Sequence, residues 1–208
     1  MNSYPQTSSR SAAFTLVELL TVIAITAILM GLLFPAIGIV KDQARKAEAK
    51  TACAGIVAAV KAYNTEYGKY PVGNFAATTG DYKVGANNGD NTPLFNILRA
   101  KEPTPTYNPR KIVFFEGKAV SNTTAPKSGF ADTGATGGPF YDPWGGEYGV
   151  IMDADYDNQV IVPYTDFASP VQTGCVAYSM GKDGKLGNNG DSRYKSSGTP
   201  SDDVISWQ

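Results

Sequence analysis

Between Phe14 and Val40 the chain reads FTLVELLTVIAITAILMGLLFPAIGIV, 27 residues with a single charge, Glu18. The 22 residues from Leu19 to Val40 carry no charge at all. As a helix rising about 1.5 Å per residue they span roughly 33 Å, enough to cross a hydrocarbon core of about 30 Å. A secretory signal has a shorter apolar region, about 7–15 residues, with a small-residue cleavage site directly after it. Here the best A-x-A match, Ala47-Glu48-Ala49, lies beyond the charges Lys41, Asp42, Arg45 and Lys46. The run therefore reads as an uncleaved span. Arg10 is the lone charge ahead of it, so flanking charge assigns no confident orientation.

Glu18 does not fit a plain anchor. An ionised carboxylate in apolar surroundings costs on the order of several kcal/mol unless it is partnered. Composition narrows the chemistry open to the chain. With 18 basic and 19 acidic residues the net charge is −1, which offers no electrostatic footprint for nucleic acid. The chain has no histidine, which excludes Ser-His-Asp and Cys-His catalysis and every His-ligated metal. Its two cysteines, Cys53 and Cys175, are too few for a disulfide scaffold. They are a candidate disulfide if the domain lies outside the cytoplasm, or else two separately buried small hydrophobes, the reading favoured here.

From Lys41 to Tyr67 the pattern turns amphipathic. Cys53, Ile56, Val57, Val60 and Tyr67 recur at helical spacing, with Lys41, Arg45, Glu48, Lys50 and Lys61 as polar-facing residues. The spacing predicts one long helix over about 15–67, weakest near 31–38 where Pro35 lies between Gly31 and Gly38, and ended by Gly68 and Pro71. Residues 72–110 read as a loop-rich connection holding a short helix capped by Thr92 with Pro93 behind it. KIVFFE (111–116) reads as a strand and 121–139 as a surface loop; Tyr148–Met152 and Gln159–Pro163 read as a hairpin, and Cys175–Met180 as a further strand. Strands that follow one long helix predict an α+β domain: a small antiparallel sheet laid on that helix, with a loop-rich C-terminal region. Trp144 and Trp207 read as packing anchors.

AFTLVELL, with Glu18 four residues after Phe14, resembles the N-terminal signature of type IV pilins and type II secretion pseudopilins. In that family a prepilin peptidase cuts before the apolar helix, the new first residue is usually phenylalanine, and its amine is methylated. The resemblance implies cleavage between Ala13 and Phe14, with Ala13 standing where the family prefers glycine. It implies a leader (1–13), a transmembrane and filament-core helix (14–40), an amphipathic half (41–71) and a periplasmic or extracellular ectodomain (72–208). Pro35 falls where the family often has a helix-breaking proline. Cleavage would give Phe14 a cationic amine, and the Glu18 carboxylate of a neighbouring copy can pair with it in an apolar filament core, where either charge alone is costly.

Further along, YGKYP, DPWG with GEYGV, YSMGKDGKLG and the terminal DDVISWQ resemble, in that order, the major pseudopilin of type II secretion. Extra residues stand around 72–110, 152–174 and between Asp183 and Asp202. In that family the aspartate-rich end binds calcium. The match implies carboxylates from Asp183, Asp202 and Asp203, carbonyls from Met180 and Lys182, and Asp191 as a substitute. Calcium takes six to eight oxygens, so the donor types suit it. A weaker candidate is MDADYDNQV: Asp153, Asp155 and Asp157 alternate as in the first half of an EF-hand loop. Its sixth position is Asn158 rather than glycine and its twelfth is Tyr164 rather than glutamate, so a polar turn is the simpler reading.

The resemblance implies a structural subunit without catalytic activity, made in the bacterial inner membrane as a single-pass precursor with its C-terminal domain periplasmic, then extracted into a filament. Implied partners are further copies of the chain in a helical homopolymer, minor pseudopilins, the prepilin peptidase, a motor ATPase and the inner-membrane assembly platform. No nucleic acid is expected. The rival expectation is a single-span anchored surface domain that binds ligand or hydrolyses substrate with carboxylates alone.

Overall fold

The computed structural model describes residues 15–73, 80–134, 136–167, 169–196 and 198–207. The chain divides into two compact units, Met1–Gln43 and Ala44–Gln208. Helix α1 (Leu16–Tyr67) runs through both and is continuous through Pro35. Gly68, with φ +67°, ends it where the sequence predicts, and its N–H closes the last turn onto the Asn64 carbonyl at 2.8 Å.

In the first unit the apolar side chains described along α1 are exposed on every side, from Leu16 at 80% to Phe34 at 72%. Among the described residues, α1 is the one helix long and apolar enough to cross a membrane. In the second unit α1 keeps a narrow stripe for a core. Ala49, Cys53, Ile56, Ala59, Val60 and Tyr63 are buried, while the five predicted polar-facing residues are exposed.

The second unit is a four-stranded antiparallel sheet in the order β1 (Tyr82–Val84), β4 (Gly149–Met152), β5 (Cys175–Ser179), β8 (Val204–Ile205). Two small ribbons, β2–β3 (Gly129–Phe130 with Phe140–Tyr141) and β6–β7 (Lys195–Ser196 with Thr199–Pro200), stand beside it. Helix α2 (Thr92–Leu98) completes the elements. Side chains alternate across the pleat. Val84, Val150, Met152, Cys175, Ala177 and Val204 pack with α1 and α2 in one core. Ile151, Val176, Tyr178 and Ile205 face a second core of Val160, Val162 and Tyr164, edged by Phe167, Tyr194 and Trp207. Both faces of the central strands are therefore covered, which is why they read as continuous apolar runs. The fold is α+β, a long N-terminal helix and a small antiparallel sheet with a loop-rich remainder, in the layout of a pilin.

Four local expectations are corrected. KIVFFE joins no sheet, because the N–H groups of Phe114 and Phe115 both go to the Leu98 carbonyl at the end of α2. The partners of β4 are β1 and β5, not 159–163, whose one bridge is Val160 with Val171. The stretch 121–139 holds β2, and its Phe130 is fully buried between Phe95 and Phe140. At α2 the N-cap position is Asn91 rather than Thr92. The Asn91 side chain caps nothing; it is buried, donating to the Phe140 and Tyr148 carbonyls and accepting from the Phe140 N–H.

Candidate functional site

The first site is the start of α1. Ala13 and Phe14 lie outside the described residues, whereas Glu18 sits in the first turn. The Thr15 N–H and hydroxyl both donate to Glu18 Oε2, at 2.8 and 2.7 Å, and the Glu18 N–H donates to Thr15 Oγ1 at 3.3 Å. This is a reciprocal capping box: a threonine at the N-cap and a glutamate three residues on satisfy donors that a helix start leaves open. Weighing Glu18 by its charge alone overlooks the box, although Thr-Leu-Val-Glu ahead of an apolar run is its signature. The carboxylate thus has a partner within its own chain.

The second site is built by the loop after β5 and the start of β8. Asp183, Asp202 and Asp203 bring carboxylate oxygens within 4.8 Å of one another. Gly181 allows the turn: its φ is +64°, and a Cβ there would lie 2.6 Å from the Asp202 carbonyl oxygen. Asp202 Oδ2 accepts the N–H groups of Lys182 at 2.5 Å and Asp183 at 3.0 Å. Asp203 is buried, its Oδ2 accepting the Tyr164 hydroxyl at 2.9 Å and the Gly187 N–H at 2.7 Å. Asp203 Oδ1 is also buried and has no hydrogen-bond partner among the described residues. Burial pushes the Asp203 carboxyl up to about 6, the charge of Asp202 adding to the effect and the Gly187 and Tyr164 donors opposing it.

A hard divalent cation suits this donor set. It would supply the charge that two adjacent carboxylates and an orphaned oxygen need, with Asp183, Asp202 and Asp203 holding it; Met180 and Lys182, whose carbonyls the resemblance implies as further donors, flank Gly181 in the chain. Asp191 is not among the gathered three. Its Oδ1 accepts the Asn188 and Arg193 N–H groups and closes a separate turn. The DPWG motif reaches this loop from behind. Buried Asp142 accepts three N–H groups, from Trp144, Gly145 and Gly146, and takes the Ser179 hydroxyl at 2.5 Å; Ser179 Oγ in turn accepts the Gly181 N–H.

Asp153, Asp155 and Asp157 also gather oxygens within 4.8 Å. There both oxygens of Asp153 are used by the chain, Oδ1 by the Asp157 N–H and Oδ2 by the Asn158 N–H, while Asp157 Oδ1 takes the Gln159 N–H. Asn158 adopts φ +60°, a conformation asparagine tolerates in place of glycine. Cys53 and Cys175 are free, buried thiols in the same core, so the candidate disulfide is not formed. Burial raises both thiols, Cys175 to about 12, and keeps them protonated and inert. Trp144 and Trp207 are half-buried against the first and second core respectively.

Comparison with known proteins adds one finding. Residues 8–34 match the family model for the prokaryotic N-terminal methylation motif. No curated protein and no solved structure matches the chain. The motif spans Ala13, Phe14, the capping box and most of the exposed apolar helix. The chain therefore carries a type IV pilin-like signal of the kind prepilin peptidase processes, on an apolar helix suited to a single-pass membrane anchor.

Proposed function

We propose that this chain is the structural subunit of a type II secretion pseudopilus or a type IV-like pilus, nearest in pattern to the major pseudopilin. Prepilin peptidase cuts after Ala13, Phe14 is methylated, and the subunit leaves the inner membrane for a helical homopolymer built through residues 14–40. The observation that carries this proposal is the methylation motif lying on an apolar helix whose described side chains are exposed. Minor pseudopilins and the assembly platform are its partners, the ectodomain is periplasmic before extraction, and its role is mechanical rather than catalytic. Asp183, Asp202 and Asp203 hold a calcium ion that ties the Gly-rich loop to the end of the chain, so that binding free energy becomes folding free energy. The orphaned Asp203 Oδ1 supports that assignment.

Glu18→Gln is the sharpest test of assembly. Glutamine at this position keeps the capping box and removes the charge. A polymer held by pairing between Glu18 and the neighbouring Phe14 amine loses filaments with Glu18→Gln as fully as with Glu18→Ala, while the precursor is still inserted and cleaved. Filaments from Glu18→Gln at normal yield would leave the cap, not the charge, as the reason for the residue. An anchored surface enzyme would tolerate both substitutions.

A further inference from the structure

Tyr164 lies in the extra residues of 152–174, more than thirty positions ahead of the carboxylate it touches. Its ring is buried, with Tyr178, Tyr194, Phe167 and Trp207 centred between 5.8 and 6.3 Å away. Four aromatic neighbours leave the ring little freedom to turn, so its hydroxyl is a fixed donor. That hydroxyl and the Gly187 N–H both bond Oδ2 of Asp203, which leaves the other oxygen, Oδ1, without a partner among the described residues. A carboxylate held by two donors on one oxygen cannot rotate, so the direction of the second is set.

We propose that the 152–174 segment supplies the cation site with a positioning residue, Tyr164, which holds Asp203 by Oδ2 so that Oδ1 faces the ion. The segment is thereby part of the site and not surface decoration. This rests on the assignment of a divalent cation to Asp183, Asp202 and Asp203. It adds that the outer aromatic core and the cation stabilise one another: the ion fixes Asp203, and Asp203 satisfies the Tyr164 hydroxyl, which would otherwise be buried alone.

The test uses the full chain in detergent, with calcium titrated calorimetrically and thermal unfolding followed in calcium and in chelator. Tyr164→Phe keeps the ring and deletes the hydroxyl. Its affinity for calcium should fall about tenfold, the usual cost of losing an orienting partner. Its midpoint in chelator should stay near that of the unsubstituted chain, so the rise produced by calcium shrinks. A purely structural role would lower both midpoints alike and leave affinity unchanged, and that result overturns the proposal. Asp183→Asn, which weakens a ligand itself, separates the two layers. Calcium binding that is lost in Asp183→Asn but intact in Tyr164→Phe leaves the cation site standing and removes the role of Tyr164. An unsubstituted chain that ignores calcium removes both.

Discussion

The two halves of α1 obey different rules. Over 44–67 the helix is amphipathic, and the side chains that need cover find it inside the same chain, Cys53, Ile56, Val60 and Tyr63 all being fully buried. Over 16–40 the helix is apolar all round, and Leu16, Leu29 and Phe34 each leave more than half their surface open. A helix that is apolar on every side is a buried or membrane element. The amphipathic half therefore has a partner written into the fold, whereas the apolar half stays exposed among the described residues and suits a bilayer and, in the proposed filament, further copies of itself. One continuous helix can serve both needs because the helical backbone satisfies its own hydrogen bonds in either environment.

Substitutions at matched positions separate the halves most strongly. Ile56→Ala should lower ectodomain stability by about 2–5 kcal/mol, as expected for a buried aliphatic side chain cut back to Cβ. Leu29→Ala should leave the unfolding midpoint of the ectodomain unchanged, within about 0.5 kcal/mol, and act on assembly instead. Comparable loss of midpoint from both would erase the distinction. Next in size is calcium, which at a hundredfold excess over its dissociation constant should add about 2.7 kcal/mol, seen as a fall in midpoint when chelator is added. Gly181→Ala should cost about 1 kcal/mol or more, from positive φ and the contact with the Asp202 carbonyl, and should weaken the response to calcium as well.

The smallest effect is electrostatic. Arg99, which also stacks on Phe130, and then Lys101 hold the Asp132 carboxyl at about 2, against the opposing influence of burial. Its folded value lies below the unfolded value of about 3.9. The contribution is thus complete above about pH 4 and disappears as pH falls through about 2. Solvent screening keeps it to at most about 1 kcal/mol. Asp132→Asn should abolish that slope in a pH series of unfolding midpoints and leave the curve above pH 5 displaced by no more than this amount.

The same division explains what is legible in the sequence. Period and length betray both halves of α1, and the continuous apolar runs of β4 and β5 betray the sheet centre. The edge strands are hidden: β1 has three residues and β8 two, too short to carry a pattern. KIVFFE has the composition of a strand, but its amides are taken by the end of α2. The outer core is hidden because Tyr164 and Phe167 sit in one loop and Tyr194 and Trp207 in two distant stretches, without periodicity, and they meet only once the chain is folded. The resemblance of the C-terminal motifs implies Asp183, Asp202 and Asp203 as a group, yet nothing in the spacing points to Tyr164. Glu18 stands out by its charge, while its bond to Thr15 follows from a local rule of helix starts.

The polymer assignment turns on the first residue of the processed chain. The N-terminal peptide should be isolated from the protein in its native host and its mass measured. It should begin at Phe14 and weigh one methylene more than the unmodified sequence. A peptide that still carries the 1–13 leader would mean that Glu18 never meets a neighbouring amine, and that the apolar half of α1 is only a tether.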